Sequence, residues 1–405
     1  MVLSTSADAD QQAWSRSPWR QAVLSGSLIW LSVKSFVSLV SLIVVVLRHG
    51  PAATDPAGHS VPPLTGSGFF GALHHWDSAY FLSIAGNGYF PPGAGSSVQA
   101  FFPGFPLLSR AVSDALTLGA STEVSLVVAM WLVGGLASLG ATIVLYRLAD
   151  ERAGQRVATL TALLFLAGPY SVFLFANYSE SLFLLFAVAA WYGGLRDRWQ
   201  LVGMFAAAAT FTRINGVFLV AALLVMYVIR RRNSGRPLAT RTLCWLPVAC
   251  AGIAGYFLYL LIRTGDPVAW LHAQGAGWGR GFSWPWEAFY QTAGRVLFAS
   301  TVDRRLQFGL DIAFVAAIAL AIIVFLRRRQ WPEVTYLGLT VLAFSTSFTF
   351  VSAARGSVTL FPIVILVAQT ILGGRSKAFR VVLLGAWLTL FVVNTLLFAN
   401  GYWTD

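Results

Sequence analysis

Apolar runs about as long as a bilayer core is thick recur from residue 24 to residue 398, each closed by a short polar or basic stretch. A helix needs roughly 17–25 predominantly apolar residues to cross that core, and residues 24–47 meet the requirement at once. Further runs follow at 124–146, 157–175, 182–194, 201–211, 217–228, 243–262, 312–326, 334–350, 358–372 and 381–398. The pattern predicts an all-α polytopic membrane protein with about eleven transmembrane helices. The shorter runs, flanked by Gly and Pro, read as broken or re-entrant spans.

The basic residues orient these spans. Arg16 and Arg20 precede the first run; Arg147, Arg152 and Arg156 follow the second. Arg196 and Arg198, Arg230 to Arg232, Arg327 to Arg329, and Arg375, Lys377 and Arg380 close later pairs. All fall on one side, which the positive-inside rule makes the cytoplasm. The N-terminus is then inside and the C-terminus outside. Residues 1–21 form a cytoplasmic tail, 22–400 a single transmembrane domain, and 401–405 an external tail. The N-terminal stretch lacks the short apolar region and cleavage site of a signal peptide. Two external segments, about 49–122 and 263–311, are too long for turns and are expected to form a cap over one cavity. Within the first, aromatics alternate with polar residues over 69–89 and 101–118, which predicts interfacial helices.

Composition removes the other classes. The chain is 57% apolar and 11% charged, whereas soluble domains are about 25% charged. A soluble enzyme, a disordered chain and a secreted disulfide scaffold are excluded. The net charge of +12 has its source in the basic loops and does not call for a nucleic-acid partner. Cys244 and Cys250, six residues apart in one apolar run, face different directions and are expected to form neither a disulfide nor a metal pair.

Residues that break the charge rule are the candidates for chemistry. Arg213, Arg263, Arg280, Arg295, Arg304, Arg305 and Arg355 map to the external side, where guanidinium suits a phosphate. Arg304 and Arg305 also read as contacts to lipid headgroups. Arg355 and Arg213 sit at span ends within apolar sequence, where a charge usually lines a cavity, so both are expected to hold an anionic group. Among the acids, Asp77 opens an aromatic run and reads either as a helix cap or as a reactive carboxylate. Glu180 lies at the external mouth of a helical hairpin, facing a polar cavity or complementing a helix N-terminus. Asp266 precedes Pro267 and reads as a turn residue. His272, Gln274, Trp278 and Arg280 cluster in the second external segment. His74, His75 and His272 have no zinc-like spacing, and no metal is expected. The chain has no Walker A loop, no GxGxxG and no diphosphate–metal motif, which argues against a nucleotide-sugar donor in a soluble-type site.

Six short motifs then converge. His75–Tyr89, which begins His-Trp-Asp-Ser-Ala-Tyr, resembles the first-loop signature of the PIG-V mannosyltransferase family. Phe101–Leu107, Asn177–Phe183 and Thr212–Gly216 are similar to its next three motifs, and Trp270–Trp286 to a loop of its bacterial members. Arg355 with Phe361-Pro362 is similar to its late motif, with Gly356 where that motif usually has Tyr. The resemblance implies a GT-C glycosyltransferase fold. It implies transfer of mannose from a polyprenyl-phosphate-mannose donor to a lipid-linked or glycolipid acceptor on the extracytoplasmic side. The acceptor itself does not carry over. No cofactor is implied beyond the lipid-phosphate donor as co-substrate; the expected partners are that donor, the glycan acceptor and membrane lipids.

On this reading the location is a bacterial cytoplasmic membrane with the site facing outside. Asp77 is the general base, preferred because it stands beside Trp76 in the loop where the resembled fold keeps its catalytic acid; Glu180 is its rival. Arg355, Arg213, Arg280 and His272 bind the donor phosphate. Trp76, His75, Tyr178, Asn215, Gln274 and Trp278 contact substrate. The competing reading is a transporter or flippase of a lipid-linked anionic glycan, but the unusual residues gather on one external face and show no inverted repeat.

Overall fold

The computed structural model describes residues 18–47, 68–91, 95–374, 376–402 and 404. Most of the N-terminal tail, part of the first external segment, Arg16 and Arg375 lie outside the described residues. The described residues are mostly helical; a lone bridge between Phe282 and Ser347 is the one β-type pairing among them.

Helix α1 (Pro18–Leu47) leads into a 3-10 turn at Gly68–Leu73 and then α2 (Asp77–Asn87). After α3 (Gly104–Thr117) comes α4 (Glu123–Ala153), whose first turn is closed by reciprocal bonds between Thr122 and Ser125. Helices α5 (Gln155–Leu166), α6 (Glu180–Leu195), α7 (Trp199–Thr212) and α8 (Gly216–Asn233) follow. Then come α9 (Ala251–Thr264), α10 (Ala269–Trp278), α11 (Pro285–Phe298) and α12 (Val302–Arg327). The chain closes with α13 (Trp331–Ser345), α14 (Phe361–Leu372) and α15 (Lys377–Ala399).

Among the described residues four helices, in α1, α4, α12 and α15, are long and apolar enough to cross a membrane, or up to six spans if each of two bent pairs counts as one. The other expected spans are shorter helices. At two of them Pro explains the break, because it offers no N–H and clashes with the preceding turn. The expected span over 157–175 is α5 followed by an irregular stretch at Gly168-Pro169 and a 3-10 turn, Ser171–Leu174. Its freed backbone groups are satisfied from side chains: Asn394 Nδ2 donates to the Pro169 carbonyl, and Ser171 Oγ accepts from Gly168 N–H. The expected span over 358–372 is likewise bent by 83° ahead of Pro362. The stretch over 334–350 is helical only to Ser345.

Helix α4 is the centre of the bundle: 56% of its apolar window is buried, against 22% for α1 and α15. It packs on α5, α6, α1 and α3, and its far end is tied to α13 by an ion pair from Arg152 to the buried Glu333 at 3.0 Å. The two expected interfacial helices differ. In α3, one side is buried while Leu107, Leu108 and Leu116 are exposed, as a helix at an interface requires. By contrast α2 is packed inward through Ser78, Phe81, Ile84 and Ala85. That packing brings Asp77 to the place where three helix breaks meet: the Ser171–Ser179 mouth, the Arg213–Asn215 turn and the Ser352–Leu360 turn.

Candidate active site

Backbone lacing between two distant loops fixes Asp77. Asn177 N–H donates to the Leu73 carbonyl at 3.1 Å, and the Tyr178 hydroxyl to the His75 carbonyl at 2.8 Å. His74 is buried against the Asn177 amide (3.1 Å), and burial, aided by neighbouring His75, pulls its pKa down to about 3. It is therefore a neutral structural group and not a cation for a phosphate. Trp76 adopts φ 57°, ψ −119°, a conformation that costs a non-glycine residue of order 1–3 kcal/mol. This bend makes Asp77 the first residue of α2. No side-chain cap bond is made at the start of that helix, which disposes of the capping role.

The Asp77 carboxylate instead meets a guanidinium. Arg355 Nη1 donates to Asp77 Oδ2 at 2.7 Å, and Arg355 Nε donates to Glu180 Oε1 at 2.8 Å. Arg213 reaches the same Glu180 oxygen at 3.0 Å and donates to Ser179 Oγ at 2.9 Å. The Arg355 guanidinium lies over the rings of Tyr178 (4.6 Å) and Phe173 (4.8 Å). Two cations and two carboxylates thus interlock, which is how charges are tolerated away from water. Their exposures differ: the Glu180 side chain is 0% accessible and that of Asp77 is 20%.

A cavity of about 490 Å³ opens beside this network. Asp77, Arg213, Asn215, Gln274, Trp278, Arg280 and Arg355 all line it. On α10, Trp270, Gln274 and Trp278 recur every four residues and present one helical face to the cavity. Trp278 rests on Tyr80 and Phe101, and Arg280 crosses the space to Ser352 Oγ at 3.2 Å. Five of the residues expected to act in catalysis or binding do not line it. Glu180 is sealed behind Arg355, and Tyr178 is buried beneath the guanidinium. The His75 ring stacks edge-on against Phe398, and Trp76 packs against the main core. His272 lies on the opposite side of α10 from Gln274, 70% accessible and paired with Asp266 at 2.7 Å. Helical spacing thus turns His272, expected at the donor phosphate, away from this cavity.

Sequence reading missed Phe344 and Ser352 in the wall. Phe344 explains Gly356. A Cβ at 356 would run into the Phe344 ring, so that ring fills the room a side chain would need. Gly356→Ala should therefore destabilise the protein by about 1–3 kcal/mol through overpacking. Phe344→Leu in the same chain should recover most of the loss, as read by thermal unfolding in detergent.

Comparison with known proteins comes to the same motifs. Residues 36–234 match the family model described as Mannosyltransferase (PIG-V), which takes in four of the six motifs but neither the α10 loop nor Arg355. The chain is 33% identical over 222 residues to the GPI alpha-1,6-mannosyltransferase 2 of Cricetulus griseus, covering 52% of this chain and 43% of that protein. To the Homo sapiens protein of the same name it is 30% identical over 225 residues, with the same coverage. The chain thus spans less than half the length of these relatives. Among solved structures, the apo oligosaccharyltransferase of Archaeoglobus fulgidus superposes on 92% of this chain and 56% of its own, at 16% identity and TM-score 0.48.

Proposed function

From the match of residues 36–234 to the PIG-V mannosyltransferase model, we propose that this membrane protein transfers mannose from a polyprenyl-phosphate donor to a lipid-linked or glycolipid acceptor. The reaction is read as inverting, on the extracytoplasmic side, in a GT-C-type fold. The observation that carries the proposal is the unequal pair of acids on one guanidinium. Asp77 faces the cavity, and Glu180 is sealed behind it.

The chemistry follows from that geometry. The acceptor hydroxyl oxygen attacks C1 of the mannose, and its proton passes to the Asp77 carboxylate. The bond from C1 to the phosphate oxygen breaks, its electrons remain on that oxygen, and a polyprenyl monophosphate leaves. The charge that develops there is met by Arg355, Arg213 and Arg280, all at the cavity wall. Glu180 takes no proton; it holds the two arginines in place. Trp270 and Trp278 offer flat faces for a sugar, with Gln274 and Asn215 as polar contacts.

Purified protein given polyprenyl-phosphate-[³H]mannose and membrane lipids should move label to a new lipid product. Label that stays on the donor overturns the reading, and label that crosses a vesicle membrane unchanged makes the protein a flippase. His272→Ala should leave the donor KM within about threefold, since its side chain is paired at the surface. A donor KM raised more than tenfold in that variant would return His272 to the site.

A further inference from the structure

An acid the mechanism does not use lies one layer below. Asp311 is 0% exposed in α12, an apolar helix long enough to span a membrane, where a carboxylate costs a few kcal/mol unless something holds it. Its Oδ1 accepts the backbone N–H of Ala354 at 2.9 Å. Ala354 is the second residue of the one-turn helix Ala353–Gly356, and the next residue is Arg355.

That turn is under constraint from several sides. Ser352, just before it, has φ 67° and ψ 11°, a left-handed conformation that a residue with a side chain adopts at a cost. Thr292 Oγ1, on α11, accepts Phe350 N–H at 2.9 Å. Phe350 and Ala353 pack with Ala288 of α11. One turn earlier on α12, Gln307 joins the Tyr170 hydroxyl (2.7 Å) and the Asn394 amide (3.5 Å), fixing the helix that presents Asp311. The turn that carries Arg355 is thus tied to α12 through the Asp311 carboxylate, while the guanidinium spans Glu180 and Asp77.

We propose that Asp311 is a positioning residue for the transfer reaction, acting through Arg355. The inference rests on the reaction assigned above. Its bond to Ala354 N–H holds the Ser352–Arg355 turn in register, so that one guanidinium reaches two carboxylates. Loss of that acceptor lets the left-handed residue relax and moves Arg355 away from the position where phosphate charge develops. Misplacement of a positioning group by about 1 Å is enough to cost up to 100-fold in rate.

The test compares Asp311→Leu, Asp311→Asn and Asp311→Glu in the full chain. Donor KM and kcat are measured per folded molecule, together with thermal unfolding. Asp311→Leu should lower kcat/KM by about 10- to 100-fold. Asp311→Asn keeps an oxygen acceptor of the same reach and should stay within about threefold of the parent. Asp311→Glu keeps the charge but pushes the acceptor outwards and should fall towards Asp311→Leu. Where Asp311→Leu does not fold, the Asn and Glu variants decide by their order.

Parental kcat/KM per folded molecule in Asp311→Leu or Asp311→Glu, with only the melting temperature lowered, overturns the proposal and leaves the transferase reading intact. Rates that follow charge instead, with Glu active and Asn inactive, overturn it as well. A parent protein that transfers no mannose overturns both.

Discussion

Asp77→Asn should cut turnover by roughly two to four orders of magnitude while folding and donor binding are retained. Asn keeps an oxygen to accept from Arg355, so the network that Arg355 completes at 2.7 Å has the same shape. It has no basicity at working pH and cannot take the acceptor proton. Asp77 is not the cap of α2: that place belongs to Trp76, which makes no side-chain cap bond. Glu180→Gln makes the comparison informative. Glu180 is completely buried and shared by Arg355 and Arg213 at 2.8 and 3.0 Å. Neutralising it leaves two guanidinium groups facing one another in an apolar setting, which should weaken folding and loosen donor binding rather than abolish proton transfer. Single-turnover rates of the two variants, taken with saturating donor, separate the roles. Near-normal turnover in Asp77→Asn beside a dead but well-folded Glu180→Gln would transfer the base role to Glu180.

Arg355→Ala should be the most damaging change in the protein. The side chain is 8% accessible and hydrogen-bonds two carboxylates while resting on Tyr178 and Phe173. Removing one partner of a buried ion pair costs about 3–5 kcal/mol, and here Arg213 offsets only part of it, at Glu180. Donor affinity should fall by about 10- to 100-fold, the worth of a charge-assisted hydrogen bond to phosphate, and acceptor affinity much less. Arg355→Lys restores the charge without the two-armed geometry and should recover folding better than donor binding. Melting temperature and binding of polyprenyl-phosphate-mannose, measured on the same preparations, check both halves. Unchanged donor affinity in Arg355→Ala would remove Arg355 from the phosphate site.

Much of this site was legible as exceptions to a rule. Arg213 and Arg355 stood out because a charge at the end of an apolar run is costly, and both line the cavity. Asp77 was preferred to Glu180 for its place beside Trp76 in the first loop, but their difference in burial was not legible, since it arises only once α6 and the Arg355 turn have packed together. His272 looked like a neighbour of Arg280 along the chain, but helical spacing in α10 selects Trp270, Gln274 and Trp278 for the cavity face. Asp311 carries no motif, and its partner is a backbone N–H that no sequence pattern displays. Phe344 looked like one more apolar residue in a span, until Gly356 gave its ring a place to stand. The spans followed the same logic. Long runs such as α1 and α4 formed as unbroken helices, whereas runs interrupted by Pro169 or crowded against Pro362 broke, and those breaks carry the site.

The account is tested most directly by a cryo-electron microscopy structure of the protein with a non-hydrolysable polyprenyl-phosphate-mannose analogue in a lipid nanodisc. The phosphate is expected within hydrogen-bond distance of Arg355 and Arg213, with Arg280 closing over it and the far face of the mannose C1 open towards Asp77. A phosphate seated outside this cavity, or a mannose whose C1 is turned away from Asp77, would contradict it.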